Sequence, residues 1–369
     1  MLLNNLKKDL YHKSKLYSGL LKVRYLKKEQ TPLVANLFIT GRCNSSCRYC
    51  YVEIDKNPKR EFSCSEWIHL IDDLYAKGCR MYALVGGESF LHPHIDELIK
   101  HIASKNVFLN LTTNGYLLHQ HLEVAKLATE VSISLDGDEK SHDLNRGKAT
   151  FAKAMKGIEL AASAGIKVRL CTVVTKHNYE QLDFLLDYAE NKNFFITFSP
   201  LINAADPRKQ DASTMMLSDE EIRLFFQKLK DAKRYSSRII NSDANLDYMI
   251  NYPLKYGEII WKGTPKADYY SSPCPYGRFN YLFASTGEVY PCCIMWTSDC
   301  YTPKNIFVEG LDRAIDHASN GLGCQCCSFA NAVDWDKITS LSWLAYGIKM
   351  TLLQNFNLFG RKDTNRRDL

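Results

Sequence analysis

The chain has 369 residues, 46% hydrophobic and 24% charged, a globular composition with room for one large domain and a smaller one, which excludes a disordered or fibrous protein. No apolar run approaches the ~18 residues needed to span a bilayer, and Met1–Lys8 lacks the apolar core and cleavage site of a secretory signal, so a cytoplasmic protein with reduced thiols is expected. The net charge of +6 lies at the ends: residues 1–30 carry eight Lys/Arg against two acids and residues 361–369 four against two, so the body is near neutral and no nucleic-acid partner is expected.

In chain order, Leu2, Leu6, Leu10, Leu16, Leu20 and Val23 recur at near-helical spacing among lysines, which predicts a basic amphipathic helix within residues 1–34. Its commoner use is to pack on the body with a solvated basic face; the sharper reading is peripheral contact with an anionic membrane. Strand patterns follow at Ala35–Thr40, Met81–Val85, Val107–Leu111, Val131–Leu135, Val168–Val174 and Phe194–Phe198. Between them, helical spacing runs through Ser65–Ala76, Ile95–Ala103, Leu117–Ala128, Phe151–Ala164 and Tyr179–Asn191. This alternation predicts an α/β fold with a parallel sheet, and six units in place of eight predict a partial (β/α)6 TIM-like barrel over residues 35–240. Chemistry in such folds collects at the strand C-terminal ends. Here those ends hold Cys43–Cys50, Gly86-Gly87-Glu88, Asn114-Gly115, Ser134-Leu135-Asp136 and Thr175.

Ser218 and Glu221 form a capping-box pattern that opens another helix. Beyond Asn241, aromatics, Pro and Cys become dense, which marks residues 241–330 as a small Cys-rich C-terminal domain. Phe283–Tyr290 reads as a hairpin turning at Gly287. Residues 331–369 hold an apolar-rich helix candidate, Ile338–Phe359, and a basic tail.

Cys43, Cys47 and Cys50 follow the first strand in one loop. Closely spaced thiolates wrap an iron–sulfur cluster, and three of them leave one iron open to chelate a small molecule. A zinc knuckle is the bland alternative, but no fourth ligand follows in the loop. The spacing Cys-x3-Cys-x-aromatic-Cys, with Tyr49 as the aromatic, resembles the signature of the radical S-adenosylmethionine (SAM) superfamily. The resemblance extends over residues 35–200 through Gly86-Gly87-Glu88, Thr112-Thr113-Asn114-Gly115, Ser134-Leu135-Asp136 and Arg146-Gly147, in the family's order. It implies a SAM-binding [4Fe–4S] cluster on the triad. It also implies a cofactor site drawn from Tyr49, Gly86, Gly87, Glu88, Thr113, Asn114, Ser134 and Asp136, with Glu88 at the cofactor's amino group. Arg169 lies where relatives place a basic group near substrate or cofactor; its plain reading is a strand residue facing solvent.

Cys274, Cys292, Cys324 and Cys327 make a second set that resembles a SPASM/Twitch-type extension of that family, the shorter form having one auxiliary [4Fe–4S] cluster. Cys326 competes with Cys324 or Cys327 as a ligand, and a four-thiolate zinc site is the alternative. Cys64, Cys79 and Cys171 read as ordinary buried thiols, His92 and His94 as part of a turn, and Cys293 and Cys300 are left unassigned.

The resemblance implies an enzyme that cleaves SAM reductively, so that a 5′-deoxyadenosyl radical takes hydrogen from the substrate. An external one-electron donor such as flavodoxin or ferredoxin feeds the cluster. The substrate is expected to be a small polyol, sugar or nucleoside, or a ribosomal peptide, with a lean to the small molecule because no leader-binding module of about 80–100 residues precedes the core. Radical modification of a membrane-associated lipid, and a non-catalytic iron–sulfur carrier or scaffold, are the alternatives.

Overall fold

The computed structural model describes residues 11, 14–19, 31–50, 60–202, 210–261, 274–296, 300–320, 324–329 and 331–338. Six parallel strands run in chain order: β1 (Val34–Phe38), β2 (Met81–Val85), β3 (Phe108–Thr113), β4 (Glu130–Ser134), β5 (Val168–Val174) and β6 (Phe195–Pro200). Each pairs in parallel with the next, as six consecutive βα units require.

One face of every strand is apolar and lies in a single core with the helices. Leu37, Leu84, Leu111, Ile133, Leu170 and Ile196 all belong to it. Against that face pack α1 (Cys64–Ala76), through Trp67 and Ile71, and α2 (Ile95–Ser104), through Leu98 and Ile99. Because side chains alternate along a strand, the opposite face carries Asn36, Asn110, Glu130, Ser132, Arg169 and Cys171. It is a bonded polar layer: Asn36 donates to Asn280 at 2.6 Å, and Asn110 to Ser132 at 2.9 Å.

The expected helix at Leu117–Ala128 is broken. A 3-10 turn at Leu118–Gln120 precedes the short α3 (Leu122–Ala125), with His121 between them outside helical geometry. The sequence reading also passed over α4 (Glu139–Arg146), capped by the Asp138 carboxylate on the Ser141 N–H. The remaining helices of this part are α5 (Thr150–Ser163), α6 (Leu182–Lys192), α7 (Gln210–Met215), α8 (Asp219–Ala232) with the Ser218–Glu221 capping box, and α9 (Asp243–Ile250).

The sheet does not stop at residue 240. After β7 (Ile259–Trp261), strand β8 (Asn280–Ala284) pairs with β1 along its whole length, in parallel. It then turns at Gly287 into the antiparallel β9 (Glu288–Tyr290), which pairs with β10 (Lys304–Asn305), giving a nine-stranded sheet. Helices α10 (Ile306–Glu309) and α11 (Leu311–Asn320) follow; β11 (Cys324–Cys327) pairs back onto β7, and α12 (Asn331–Ile338) ends the described chain. The Cys-rich segment therefore extends the sheet at its β1 edge. Of the expected N-terminal helix, Ser14–Gly19 is helical and the rest lies outside the described residues, as does the Ile338–Phe359 stretch beyond Ile338. None of the described helices is long and apolar enough to cross a membrane.

One close approach fixes α5 over the end of β3. A Cβ on Gly157 would lie 2.2 Å from the Gly115 carbonyl oxygen. Alanine is the better helix former by about 1 kcal/mol, but overpacking against fixed backbone costs about 1–3 kcal/mol. Gly157→Ala is expected to lower the unfolding free energy in denaturant titration; an unchanged or raised midpoint contradicts this seating of α5.

Candidate metal centre and cofactor site

The loop carrying Cys43, Cys47 and Cys50 is held by the ends of four strands. At its root, Gly87 N–H donates to the Thr40 carbonyl at 2.9 Å and Glu88 N–H to the Arg42 carbonyl at 2.8 Å. The glycines of Gly86-Gly87-Glu88 are needed for this contact, since a Cβ on Gly87 would sit 2.3 Å from the Arg42 oxygen. Further along, Asn114 beyond β3 donates from Nδ2 to Asn44 Oδ1 at 2.7 Å.

The firmest hold comes from the end of α4. Arg48 N–H donates to the Asn145 carbonyl at 3.0 Å, and Ser45 Oγ to the Arg146 carbonyl at 3.3 Å. The Arg146 guanidinium meets both Asp136 oxygens, at 2.7 and 3.3 Å, and its Nη1 lies 3.9 Å from Cys47 Sγ. Tyr49 donates to the same carboxylate at 2.7 Å, and Val173 N–H at 3.1 Å. Asp136 has no exposed surface. Burial alone would lower the Arg146 pKa; Asp136, with Tyr49 and Cys47, more than reverses this and holds the guanidinium charged. Thr175, buried at the end of β5, steadies this platform by donating to Asn145 Oδ1 at 2.9 Å.

Glu88 is buried, with Oε1 accepting from Thr113 at 2.7 Å and from Phe90 N–H at 3.3 Å, and Oε2 from Asn114 N–H at 2.8 Å. Burial still pushes its pKa up, so a cation placed beside it would be welcome. Cys43 is pushed up to about 11, chiefly by burial, with Glu88, Cys47 and Cys50 adding like charge. Glu88 is therefore a neighbour of Cys43.

Among the residues expected at the cofactor, Tyr49, Gly86, Gly87, Glu88, Thr113, Asn114 and Asp136 gather around this loop, and Ser134 ends β4 two residues before Asp136. Arg169 stands apart. It lies four residues before Val173 on β5, about 13 Å along the strand. It is not turned to solvent: it pairs with Glu130 at 3.0 Å and donates to Ser132 at 2.9 Å within the polar layer. Sequence reasoning missed Glu61, which accepts from Gly41 N–H at 2.6 Å, Thr40 Oγ1 at 3.1 Å and Ser285 Oγ at 3.2 Å, tying the loop's root to the β8–β9 hairpin.

In the second set, the hairpin and β11 bring Cys274, Cys292, Cys324 and Cys327 together. Burial raises the Cys274 thiol, and Cys327, Cys292 and Cys324 press on it further. Cys293, left unassigned from the sequence, is pushed up to about 12 by burial and then by Cys327. The Cys326 side chain lies outside the described residues. Among the described residues, no three thiols of either set converge within 4.8 Å. All seven residues are cysteines, whose thiolates are the soft donors that an iron–sulfur cluster takes.

Comparison with known proteins agrees with this geometry. Residues 37–189 match the family model described as the radical SAM superfamily. The subtilosin biosynthesis protein AlbA of Bacillus subtilis is 33% identical over 153 residues, 40% of this chain and 34% of AlbA, so the match spans about a third of that relative's length. GTP 3′,8-cyclase of Helicobacter pylori is 29% identical over 289 residues, 73% of this chain and 83% of the relative. Among solved structures, Streptococcus suis SuiB bound to S-adenosylmethionine has a TM-score of 0.59 at 18% identity, covering 82% of this chain and 67% of SuiB. SuiB bound to its precursor peptide SuiA has a TM-score of 0.62 at 17% identity, covering 82% and 68%. At these identities the likeness to SuiB is one of fold.

Removing Arg146 leaves the Asp136 charge buried without its cation, which costs about 3–5 kcal/mol. Arg146→Ala is expected to lose that much stability in denaturant titration. A change within about 0.5 kcal/mol, as at an ordinary surface position, contradicts the clamp.

Proposed function

Since residues 37–189 match the radical SAM superfamily, we propose that the chain is an enzyme holding a [4Fe–4S] cluster on Cys43, Cys47 and Cys50 and oxidising or crosslinking an apolar side chain of a ribosomal peptide. The observation that carries this is the convergence of four strand ends on one three-thiol loop, with a buried carboxylate, Glu88, beside it. When bound, the cluster and SAM supply reductive cleavage of the sulfonium and hydrogen abstraction from an unactivated C–H. The chain's own part is placement. Glu88 spends its bonds on Thr113, Phe90 and Asn114, yet a carboxylate accepts about four, so capacity remains for an ammonium group. Tyr49, pinned by Asp136, fixes the loop between Cys47 and Cys50. A flavodoxin- or ferredoxin-class donor would deliver the electron.

The substrate reading rests on a cavity of about 210 Å³ lined by Tyr49 and Cys50 and also by Cys293 and Ile294. Its walls are mainly apolar, from Val173, Leu201, Phe226 and Phe329 among others. Of its polar groups, Asn241 is already committed to the Phe198 backbone, accepting its N–H and donating to its carbonyl, both at 2.9 Å. Such a chamber holds one apolar or aromatic group and offers a sugar few partners. Relatives named for bacteriocin biosynthesis and for maturation support a peptide. A nucleoside-type substrate is the second reading, favoured by the extent of the match to GTP 3′,8-cyclase. Cys274, Cys292, Cys324 and Cys327 would hold the auxiliary cluster, within a segment taken as residues 241–330.

Two variants test the assignment in anaerobically reconstituted protein. Glu88→Ala is expected to weaken SAM binding in equilibrium dialysis; unchanged affinity removes Glu88 from the site. Cys292→Ala is expected to lower iron by about four per chain, one cubane, while SAM binding persists. Iron content equal to that of the unaltered protein removes the auxiliary centre.

A further inference from the structure

Away from both cysteine sets, a thiol, an imidazole and a carboxylate meet. The ligand atoms of Cys64, His94 and Glu97 lie within 4.8 Å of one another, a grouping that no other set of three such residues reaches among the described residues. Cys64 is the first residue of α1, His94 caps α2, and Glu97 lies in the first turn of α2. Glu97 joins the other two: Cys64 Sγ donates to Oε2 at 3.6 Å, and His94 Nδ1 lies 3.0 Å from Oε1. The backbones beneath are fixed, since α1 and α2 bury Trp67, Ile71, Leu98 and Ile99 in the main core. Cys64 and Glu97 are therefore carried by two rigid helices, with His94 in the turn immediately before the second.

We infer that Cys64, His94 and Glu97 form a further divalent-cation site, for zinc, with thiolate, imidazole and carboxylate as ligands and solvent at the fourth position. Zinc takes this donor mixture, and three protein ligands with one open position is a regular zinc arrangement. Magnesium and calcium, which want oxygen alone, are disfavoured by the sulfur and nitrogen. Donors about 2.0–2.3 Å from one ion sit about 3.5 Å apart, so closing the set requires movement of about 1 Å, within reach of side-chain torsions. Electrostatics agree: burial and then Glu97 push the Cys64 thiol up, a conflict between two would-be anions that a cation between them removes. The position also has consequences. The chain entering α1 carries Glu61, which grips the root of the cysteine loop, and the turn entering α2 carries Glu88. A bound ion would staple together the two segments that approach the site.

The test uses the full chain, reconstituted with iron and sulfide so that the cluster cysteines are occupied, then dialysed against zinc chloride. Zinc and iron are counted together, and iodoacetamide labelling of Cys64 is read by peptide mass spectrometry. Unaltered protein is expected to retain about one zinc more per chain than Cys64→Ser or His94→Ala. Iron content is expected to be the same in all three. Zinc is also expected to protect Cys64 from labelling in the unaltered protein and not in His94→Ala. Equal zinc in all three proteins, or labelling of Cys64 that zinc does not slow, overturns the site. Neither readout depends on SAM cleavage, so this result stands or falls apart from the proposed activity.

Discussion

Asp136 has no exposed surface, and a carboxylate in that position is tolerable because Arg146 meets both of its oxygens. The rest of the site depends on that pair. The same carboxylate pins Tyr49, which sits between Cys47 and Cys50, and takes the Val173 N–H, so it joins β4, β5 and the cysteine loop at one point. Arg146 in turn leans on Cys47 Sγ, while the backbone of Asn145 and Arg146 carries the loop. Placing Asp136 in this clamp gives it a structural duty where the family resemblance alone suggests contact with the cofactor.

The parallel sheet explains why such a cluster of constraints can form. Six consecutive βα units put every strand C-terminus on one edge, so short loops from different parts of the chain meet there. The face turned from the helices is lined with bonded polar side chains, and an apolar chamber is lined by Tyr49 and Cys50 of the cysteine loop and by Cys293 and Ile294 of the Cys-rich segment. Joining β8 to β1 places the Cys-rich segment beside the first strand, whose C-terminal end carries the triad.

Much of this was legible in the sequence. Hydrophobic alternation gave the strands, and β5 matches its expected bounds of Val168–Val174. The triad spacing and Gly86-Gly87-Glu88 marked the site because each demands a local backbone arrangement, and the hairpin at Gly287 was visible from its turn residue. What escaped were long-range contacts. Nothing local marks Glu61 as the residue that binds Gly41 and Ser285, 20 and 224 positions away. The α4 helix has few apolar residues and so no hydrophobic period; its signals were the Asp138 cap and the Gly147 stop. The solvent-facing reading of Arg169 failed, because its partners Glu130 and Ser132 lie on the neighbouring strand and periodicity says nothing about cross-strand pairs.

The central claim is that the Cys43–Cys50 loop, held by Arg146 and Glu88, is the site of SAM cleavage. The most direct measurement is 5′-deoxyadenosine formed by the anaerobically reconstituted protein given dithionite and SAM, compared with the Cys43, Cys47 and Cys50 alanine variants. The account expects 5′-deoxyadenosine from the unaltered protein and none above background from any of the three. Cleavage that survives loss of a triad cysteine contradicts it.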